Sequence, residues 1–273
     1  MDLEYLAAGL TLPEAAEARK ITGLTADSRK VQPGFLFAAF KGASVDGTKF
    51  APDAAAAGAI AILCAEEAAD AVRAQVPNTV AVVSAAEPRQ VFARMAARFY
   101  GAQPDTIVAV TGTAGKTSVA HFARQIFQSA GHPAASLGTL GVIKPDGESY
   151  GGLTTPDPVA LHKQLAELEE EGVNHAALEA SSHGLDQYRL DGVRLTAAAF
   201  TNLGRDHMDY HPTIEHYLNA KLRLFKELLP SGGTVVCDPG EKYADRVMAV
   251  AQERGLPLFT VGETGRNLTL TGL

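Results

Sequence analysis

Short apolar runs alternate with segments of helical periodicity through the second half of the sequence. The runs predict strands at residues 106–112, 134–141, 175–181, 195–203 and 233–238, and the periodic segments predict helices at residues 113–131, 158–172 and 214–229. Continuous apolar strands are typical of a parallel sheet that is covered on both faces. Strands that alternate with helices indicate right-handed βαβ units. The pattern therefore predicts an α/β fold with a mostly parallel sheet.

The first hundred residues repeat this alternation on a smaller scale. Strands are predicted at residues 35–40, 59–64 and 79–84, and helices at residues 51–58 and 87–101. Gly101 and Pro104 mark the end of the last of these helices, because neither residue continues a helix well. We therefore place a domain boundary near Pro104, with a small α/β domain in residues 1–104 and a second domain in residues 105–273.

Composition narrows the class of protein. The chain has 273 residues, of which 46% are apolar and 20% charged, and its net charge is −7. An acidic chain without a basic stripe is a poor candidate for binding nucleic acid. Cys64 and Cys237 match no metal spacing, and two reduced buried thiols are favoured over a disulfide. Because no secretory signal and no run of ~20 apolar residues is present, we expect a cytoplasmic protein without a membrane span.

The segment TGTAGKTS, residues 111–118, joins an apolar strand to a helix. Gly112 and Gly115 let the backbone approach phosphate oxygens, and the N-terminus of the helix directs N–H groups at an anion. Lys116 offers a cation to the terminal phosphates, and Thr117 a hydroxyl to Mg²⁺. The segment predicts a nucleoside triphosphate site, with ATP as the favoured nucleotide. Its spacing is shorter than that of the general P-loop motif, so an ordinary strand–turn–helix junction is the alternative.

Polar residues follow two further predicted strands. Glu179 ends one of them, where a carboxylate could ligate a second Mg²⁺ or be a solvated strand end. Asn202, Asp206 and His207 follow the next, so they should reach the same edge of the sheet, where α/β proteins bind ligands. His207 is a candidate metal ligand or phosphate contact, whereas we interpret His211 as structural.

Three further candidates are ambiguous from the residues alone. The hydroxyls of Thr154 and Thr155 could bind an anionic or sugar substrate, or could cap the helix that follows them. Ser181 lacks the G-x-S-x-G elbow of a serine hydrolase, so we prefer a substrate hydrogen bond for it. Lys221 lies in the amphipathic helix at residues 214–229, where periodicity indicates a surface lysine no different from Lys226.

Five segments together resemble the Mur ligases: TGTAGKTS, LTTPDP, LEASSHGLDQYRLDGV, FTNLGRDHMDYHPTIEHYLNAKLRLF and, for the N-terminal UDP-binding part, DSRKVQPGFLFAAFKGASVDGTKF. The resemblance runs from about Leu24 to about Asp238. It implies a UDP-binding domain followed by a P-loop ATPase-like central domain. It also implies a ligase of peptidoglycan precursor synthesis, in which ATP phosphorylates a substrate carboxylate and an amine displaces the phosphate. The implied acceptor is UDP-MurNAc-L-Ala-D-Glu, and the implied amino acid is meso-diaminopimelate rather than L-lysine.

The resemblance also assigns roles to individual residues. It implies that the UDP-linked substrate is bound by Ala26, Ser28, Ala43, Ser44, Val45, Thr154, Thr155, Ser181, Gln187 and Arg189. It implies that ATP is bound by Gly112, Thr113, Ala114, Gly115, Lys116, Thr117 and Ser118. One Mg²⁺ would be held by Thr117, and a second by Glu179 and His207. Lys221 would carry a carbamate derived from CO₂, and the catalytic residues would be Lys116, His207 and Lys221.

The sequence departs from the family pattern at three places. Ala114 stands where the turn usually has Asn, and Leu153 stands where Asn often precedes the two threonines. The sequence stops at Leu273, where the family's sheet continues and a third domain follows. We therefore expect a monomeric fragment that is inactive alone. Two alternatives remain: a non-catalytic module that binds UDP-muramoyl peptide and ATP, and a generic P-loop ATPase or kinase.

Overall fold

The computed structural model describes residues 1–12, 16, 18–42, 45–149 and 153–271. The chain divides into two compact units, Met1–Gly101 and Ala102–Leu273. No helix in the part of the chain that the structure describes has the length and apolar character needed to span a bilayer.

The N-terminal unit is built on a parallel sheet. Its elements are α1 (Leu3–Leu6), β1 (Gly23–Thr25), β2 (Phe35–Ala38), α2 (Ala51–Ala56), β3 (Ala61–Ala65), α3 (Ala69–Arg73), β4 (Ala81–Ala85) and α4 (Pro88–Tyr100). The described strands lie in the order β1-β2-β3-β4, and every pairing is parallel. Phe37, Ile62 and Val72 are almost fully buried in its core. The strands and helices predicted for this region are all present, with ends that differ by a few residues, whereas α1, α3 and β1 were not predicted.

The second unit is built on a larger sheet. Its elements are β5 (Thr106–Thr111), α5 (Lys116–Ser129), β6 (Ala134–Gly138), β7 (Gly141–Lys144), β8 (Gly147–Ser149), α6 (Pro158–Glu170), β9 (His175–Glu179), α7 (Ser182–Asp186), β10 (Ala197–Phe200), α8 (Ile214–Arg223), β11 (Thr234–Cys237), α9 (Ala244–Glu253), β12 (Leu258–Gly262) and β13 (Leu268–Thr269). The described strands lie in the order β13-β12-β11-β10-β5-β9-β6-β7-β8. The prediction of an α/β fold with a mostly parallel sheet is confirmed.

The parallel pattern ends at one edge of this sheet. Strand β7 pairs antiparallel with β6, and β8 pairs antiparallel with β7. Residues 134–141 were predicted as one strand, but the chain reverses between Gly138 and Gly141, which pair with each other. Gly141 adopts a φ of 88°, which a residue with a side chain rarely takes. The reversal therefore converts one predicted strand into a hairpin.

The middle of the sheet positions the candidate site. Strand β5 lies between β9 and β10, and its Ile107 and Ala109 are fully buried. In the strand register Val110 pairs with Glu179 and Thr111 pairs with Phe200. The carboxyl ends of these three strands are therefore level, so the segments that follow them meet at one edge. We call this edge the central rim.

The periodicity of α8 predicted a surface position for Lys221, and this prediction is wrong. The predicted helix at residues 214–229 is α-helical only to Arg223 and continues as a π-helical segment, Leu224–Leu228. Periodicity placed Lys221 on the surface, but its exposed fraction is 1%, whereas Lys226 is exposed. Periodicity fails because Lys221 has a partner outside its own helix. Its Nζ donates to the carbonyl of Gly112, 2.7 Å away.

Candidate functional site

The β5–α5 turn owes its shape to two glycines with different tasks. Gly115 precedes α5 in the left-handed conformation, with φ 84°, which favours glycine. At Gly112 a Cβ would overlap the Thr201 hydroxyl and crowd Asn202. The close neighbour that requires glycine at position 112 is therefore the segment after β10, whereas the sequence suggested a phosphate.

The main-chain amides of this turn fall into two sets. Thr113 N–H donates to the Asn202 carbonyl at 2.9 Å, and Ala114 N–H donates to Asn202 Oδ1 at 3.0 Å. The hydrogen bonds of α5 start where Val119 N–H donates to the Gly115 carbonyl. The amides at positions 116–118 precede that bond and lie at the leading end of the helix, where anions bind. Asn202 therefore occupies the Thr113 and Ala114 amides, whereas the first amides of α5 lie where an anion can reach them.

Two lysines meet at one carbonyl of the turn. Lys116 Nζ donates to the Gly112 and Thr113 carbonyls, each 3.0 Å away, and Lys221 Nζ shares the Gly112 carbonyl. Lys221 Nζ also lies 4.4 Å from the centre of the Tyr217 ring. Burial, and then repulsion from Lys116, lowers the pKa of Lys221 to about 7. Burial lowers the pKa of Lys116 as well, against the attraction of Glu179 and Asp206. The site thus holds two amines that share one carbonyl, and the lowered pKa of Lys221 favours its neutral form.

The Glu179 carboxylate joins the first turn of α5 to the β6–β7 turn. Thr117 Oγ1 donates to Glu179 Oε2 at 3.0 Å, and Thr139 N–H donates to Oε1 at 2.8 Å. Thr139 Oγ1 donates to Oε2 at 3.3 Å. Glu179 is only 3% exposed, and a Cβ at Gly138 would overlap its carboxylate. A buried carboxylate beside a threonine hydroxyl is a set of hard oxygen donors of the kind that Mg²⁺ prefers.

The predicted substrate threonines lie on the other side of this carboxylate. Thr154 Oγ1 lies 3.1 Å from Thr139 Oγ1. Thr155 Oγ1 donates to the Glu179 carbonyl at 2.9 Å and lies 3.0 Å from Ser181 Oγ. A continuous chain of hydrogen bonds therefore connects Thr117, at the start of α5, through Glu179 and Thr139 to Thr154.

Three more predicted substrate residues complete this group. Arg189 donates to the Thr155 carbonyl and to Gln187 Oε1, each at 2.7 Å. Ser181 Oγ accepts from Gly184 N–H at 3.0 Å and so caps α7. The structure thus brings together the five substrate residues that were predicted in this unit. They are Thr154, Thr155, Ser181, Gln187 and Arg189.

His207 does not join this network. Its backbone has a φ of 54°, its N–H donates to Asp206 Oδ1 at 2.8 Å, and its ring packs edge-on against His183. Among the described residues, no hydrogen bond or ion pair joins His207 to Glu179 or Thr117, and no group of three or more His, Cys, Asp or Glu could hold a metal. Its role as a second ligand stays a prediction. His211 is fully buried beside His216, in keeping with a structural residue.

The residues predicted to hold the UDP end lie in the N-terminal unit. Ala26 is exposed, Ser28 begins a 3₁₀ turn that Asp27 caps, and Val45 is 52% exposed. Ala43 and Ser44 lie outside the described residues. The UDP-binding role of this set stays a prediction.

Sequence reasoning missed three residues at the central rim. Thr139 follows β6, and its position at a strand end was the available signal. Thr201 follows β10 and donates to the Ala114 carbonyl at 2.7 Å. Tyr217 lies four residues before Lys221 on α8, so the two share a helix face, and its hydroxyl lies 3.2 Å from Thr113 Oγ1.

A mostly parallel sheet whose central strand leads through a glycine turn and a lysine into a helix defines the class of α/β proteins in which such a turn can bind phosphate. Residues 110–272 match the model of the Mur ligase middle domain, and residues 20–100 match the Mur ligase family, catalytic domain. The chain belongs to the Mur ligase family.

Curated relatives and a solved structure carry the same name. A protein of Agrobacterium fabrum, 57% identical over 93% of this chain and 50% of its own length, is named UDP-N-acetylmuramoyl-L-alanyl-D-glutamate--2,6-diaminopimelate ligase. A protein of Brucella melitensis biotype 1 with that name is 56% identical over 94% of this chain and 51% of its own length. A solved structure of a ligase with that name superposes with a TM-score of 0.82 at 29% identity, over 98% of this chain and 53% of that one. The chain spans about half the length of the curated relatives it matches.

Proposed function

We propose that this chain supplies the ATP and acceptor sites of a ligase that adds diaminopimelate to UDP-MurNAc-L-Ala-D-Glu. The observation that carries the proposal is the Glu179 carboxylate, which is bonded to Thr117 of the phosphate turn and, through Thr139, to Thr154. A reaction between a phosphate and a substrate carboxylate needs two such sites side by side. The names of the relatives favour 2,6-diaminopimelate over L-lysine.

The residues of the chain suit the first step of this ligation. A carboxylate oxygen of the acceptor forms a bond to the γ-phosphorus, the bond to the β,γ-bridging oxygen breaks, and ADP leaves. Two anions must approach each other, so positioning and charge neutralisation dominate. The Lys116 ammonium and the first amides of α5 supply positive charge at the phosphates. The guanidinium of Arg189, held by Thr155 and Gln187, offers donors to the acceptor. The amine nitrogen of diaminopimelate then bonds to the acyl carbon, the bond from that carbon to the phosphate oxygen breaks, phosphate leaves, and the nitrogen loses one proton to solvent.

The donor set at Glu179 fits Mg²⁺. The Thr117 hydroxyl would hold one ion, and the buried Glu179 carboxylate would hold a second, with His207 proposed as its further ligand. When bound, Mg²⁺ reduces the repulsion between the phosphates and the attacking carboxylate.

We extend the proposal to a carbamate on Lys221. A buried amine whose pKa is lowered to about 7 is substantially neutral at physiological pH, and the neutral amine is the form that attacks CO₂. The nitrogen forms a bond to carbon, and one amine proton leaves to solvent. The product is an anion beside Lys116, which removes the repulsion between the two lysines. Resemblance to the family supports a monomeric, cytoplasmic enzyme.

Binding and turnover measured on the same chain test the function. We expect MgATP and UDP-MurNAc-L-Ala-D-Glu each to bind in calorimetric titrations, and any phosphate release to require the acceptor. Phosphate release that is indifferent to the acceptor would indicate a generic P-loop ATPase. Binding of both ligands without release in the presence of diaminopimelate would leave the chain a binding module. Failure of both ligands to bind would contradict the proposal.

A further inference from the structure

The segment after β10 makes several hydrogen bonds to the β5–α5 turn. Thr201 Oγ1 donates to the Ala114 carbonyl at 2.7 Å, and Gly204 N–H donates to Thr113 Oγ1 at 2.8 Å. Between them, Asn202 accepts from Thr113 N–H through its main-chain carbonyl at 2.9 Å. Its side chain accepts from Ala114 N–H at 3.0 Å and donates to the Ala114 carbonyl at 3.3 Å.

We propose that Asn202 is a positioning residue for the nucleotide, acting through Ala114 and not by touching the phosphates. This inference rests on the proposed nucleotide site. A carboxamide carries a donor and an acceptor in one plane, so it can pair with both polar groups of a single residue as a neighbouring strand would. Ala114 has no polar side chain of its own with which to fix the turn. Asn202 supplies that restraint at the Ala114 amide from the segment after β10, and Thr201 helps to hold the carbonyl.

The restraint acts where the turn becomes a helix. Ala114 directly precedes Gly115, whose left-handed conformation aims the chain into α5. The orientation of the Ala114 peptide therefore sets the direction of the first α5 amides and the starting point of Lys116. If Ala114 were released, the same amides would be present but would have to be ordered by the ligand. Ordering on binding weakens affinity.

The fold does not depend on this side chain. Asn202 is half-buried, and its main-chain bond to Thr113 remains after any side-chain substitution. The adjacent strand β10 is held by its pairing with β5 and β11. A substitution should therefore change nucleotide binding more than stability.

The test uses the 273-residue chain with N202A, N202D and K116A, and with N219A as a matched control. Asn219 is exposed on α8, and its side chain donates to Glu215 one turn earlier in the same helix. We expect N202A to accelerate hydrogen exchange at the Ala114 amide and to weaken MgATP binding about tenfold, since two neutral hydrogen bonds are lost. N202D should weaken it further, because a carboxylate oxygen in place of the Asn202 amide nitrogen would face the Ala114 carbonyl and repel it. UDP-MurNAc-L-Ala-D-Glu affinity should change less than twofold in both.

The outcomes separate this inference from the proposed function. If K116A weakens MgATP binding but N202A and N202D do not, Asn202 has no positioning role and the nucleotide site stands. If N202A weakens MgATP and the UDP-linked dipeptide equally, the side chain is merely structural and the inference is overturned. If the wild-type chain binds no MgATP, or K116A binds it unchanged, the proposed site fails and the inference fails with it. Behaviour of N219A like N202A would also overturn it.

Discussion

The central rim and the turn around Ser28 illustrate two kinds of predicted binding region. At the rim, Glu179 contacts Thr117 and Thr139, residues 62 and 40 positions away in the chain. Around Ser28 the side-chain hydrogen bonds are local, such as those of Asp27 with Arg29 two residues later. The rim was predicted as a ligand site from its residues and the Ser28 region by resemblance alone, and at the rim side chains from α5, β9 and the β6–β7 turn meet at one carboxylate.

The two regions differ in whether their own structure points to a ligand. Folding brings buried polar groups of the rim together at a cost in desolvation, which their mutual hydrogen bonds must offset. An exposed turn stabilised by its own capping residue needs no ligand to account for it. Substitutions at the rim should therefore have large and selective effects, and those around Ser28 should have small ones.

Lys116→Ala should give the largest effect of the four substitutions that follow. We expect MgATP affinity to fall about 10²–10³-fold, as for removal of a preorganised charge-stabilising donor, while affinity for UDP-MurNAc-L-Ala-D-Glu stays within twofold. Calorimetric titration of both ligands measures this. Lys226→Ala, at an exposed position on the π-helical segment, is the matched control. Equal losses for the two ligands would mean that the turn is structural. The central rim would then differ no more from the turn around Ser28 than one structural region does from another.

Glu179→Gln should give the next largest effect. The amide cannot accept from Thr117 and Thr139 as a carboxylate does, and it is a poorer ligand for Mg²⁺. We expect the Mg²⁺-dependent part of ATP affinity to fall about 10–100-fold, the usual range for groups that support a metal site. Titrations with and without Mg²⁺ separate the Mg²⁺-dependent part of the ATP affinity from the part that does not need the ion. Glu253→Gln, exposed at the end of α9, should change neither. A loss that is the same without Mg²⁺ would argue against a metal at Glu179.

Much of the fold follows from apolar periodicity, because strands β5, β9, β10 and β11 are continuous apolar runs between helices. Periodicity failed at the β6–β7 reversal, where Gly138 and Gly141 interrupt a run that otherwise continues. The rim was predictable in outline, since residues at the ends of adjacent parallel strands must meet. The particular atoms that form hydrogen bonds at the rim could not be predicted from the sequence. The hydrogen bonds of Asn202 with Ala114 depend on strand order, which the local pattern does not contain.

Lys221 shows that the local pattern also fails to predict the burial of a charged side chain. An amphipathic helix places a lysine on its polar face unless a partner compensates its burial. That partner is the Gly112 carbonyl, 109 residues earlier in the chain. Only the resemblance to the Mur ligases separated Lys221 from Lys226, and the local sequence offered no physical reason to do so.

Lys221→Met should change how stability depends on pH. The pKa of Lys221 is lowered from 10.5 to about 7 in the folded protein, so folding releases a proton between those values. The cost of burying the charge is fully present below about pH 7 and disappears as pH rises towards 10.5. The free-energy difference between Lys221→Met and wild type should therefore shift in favour of wild type by up to about 1.4 kcal/mol per pH unit in that window.

Denaturant titrations in CO₂-free buffer at pH 6 and pH 9.5 measure this shift. Lys226→Met is the control, because an exposed lysine should give no such slope. Adding bicarbonate should stabilise only the wild type if the carbamate forms. A difference between variant and wild type that is independent of pH would contradict a lowered pKa.

Ser28→Ala should give the smallest effect and sharpens the comparison most directly. If Ser28 donates one neutral hydrogen bond to the UDP end of the acceptor, its loss should weaken UDP-MurNAc-L-Ala-D-Glu about 2–10-fold and leave MgATP affinity unchanged. Titration of both ligands tests this, with Ser129→Ala, at the exposed end of α5, as a matched serine control. An unchanged acceptor affinity would leave the turn around Ser28 a capped surface turn. A loss confined to MgATP would reverse the assignment of the two regions.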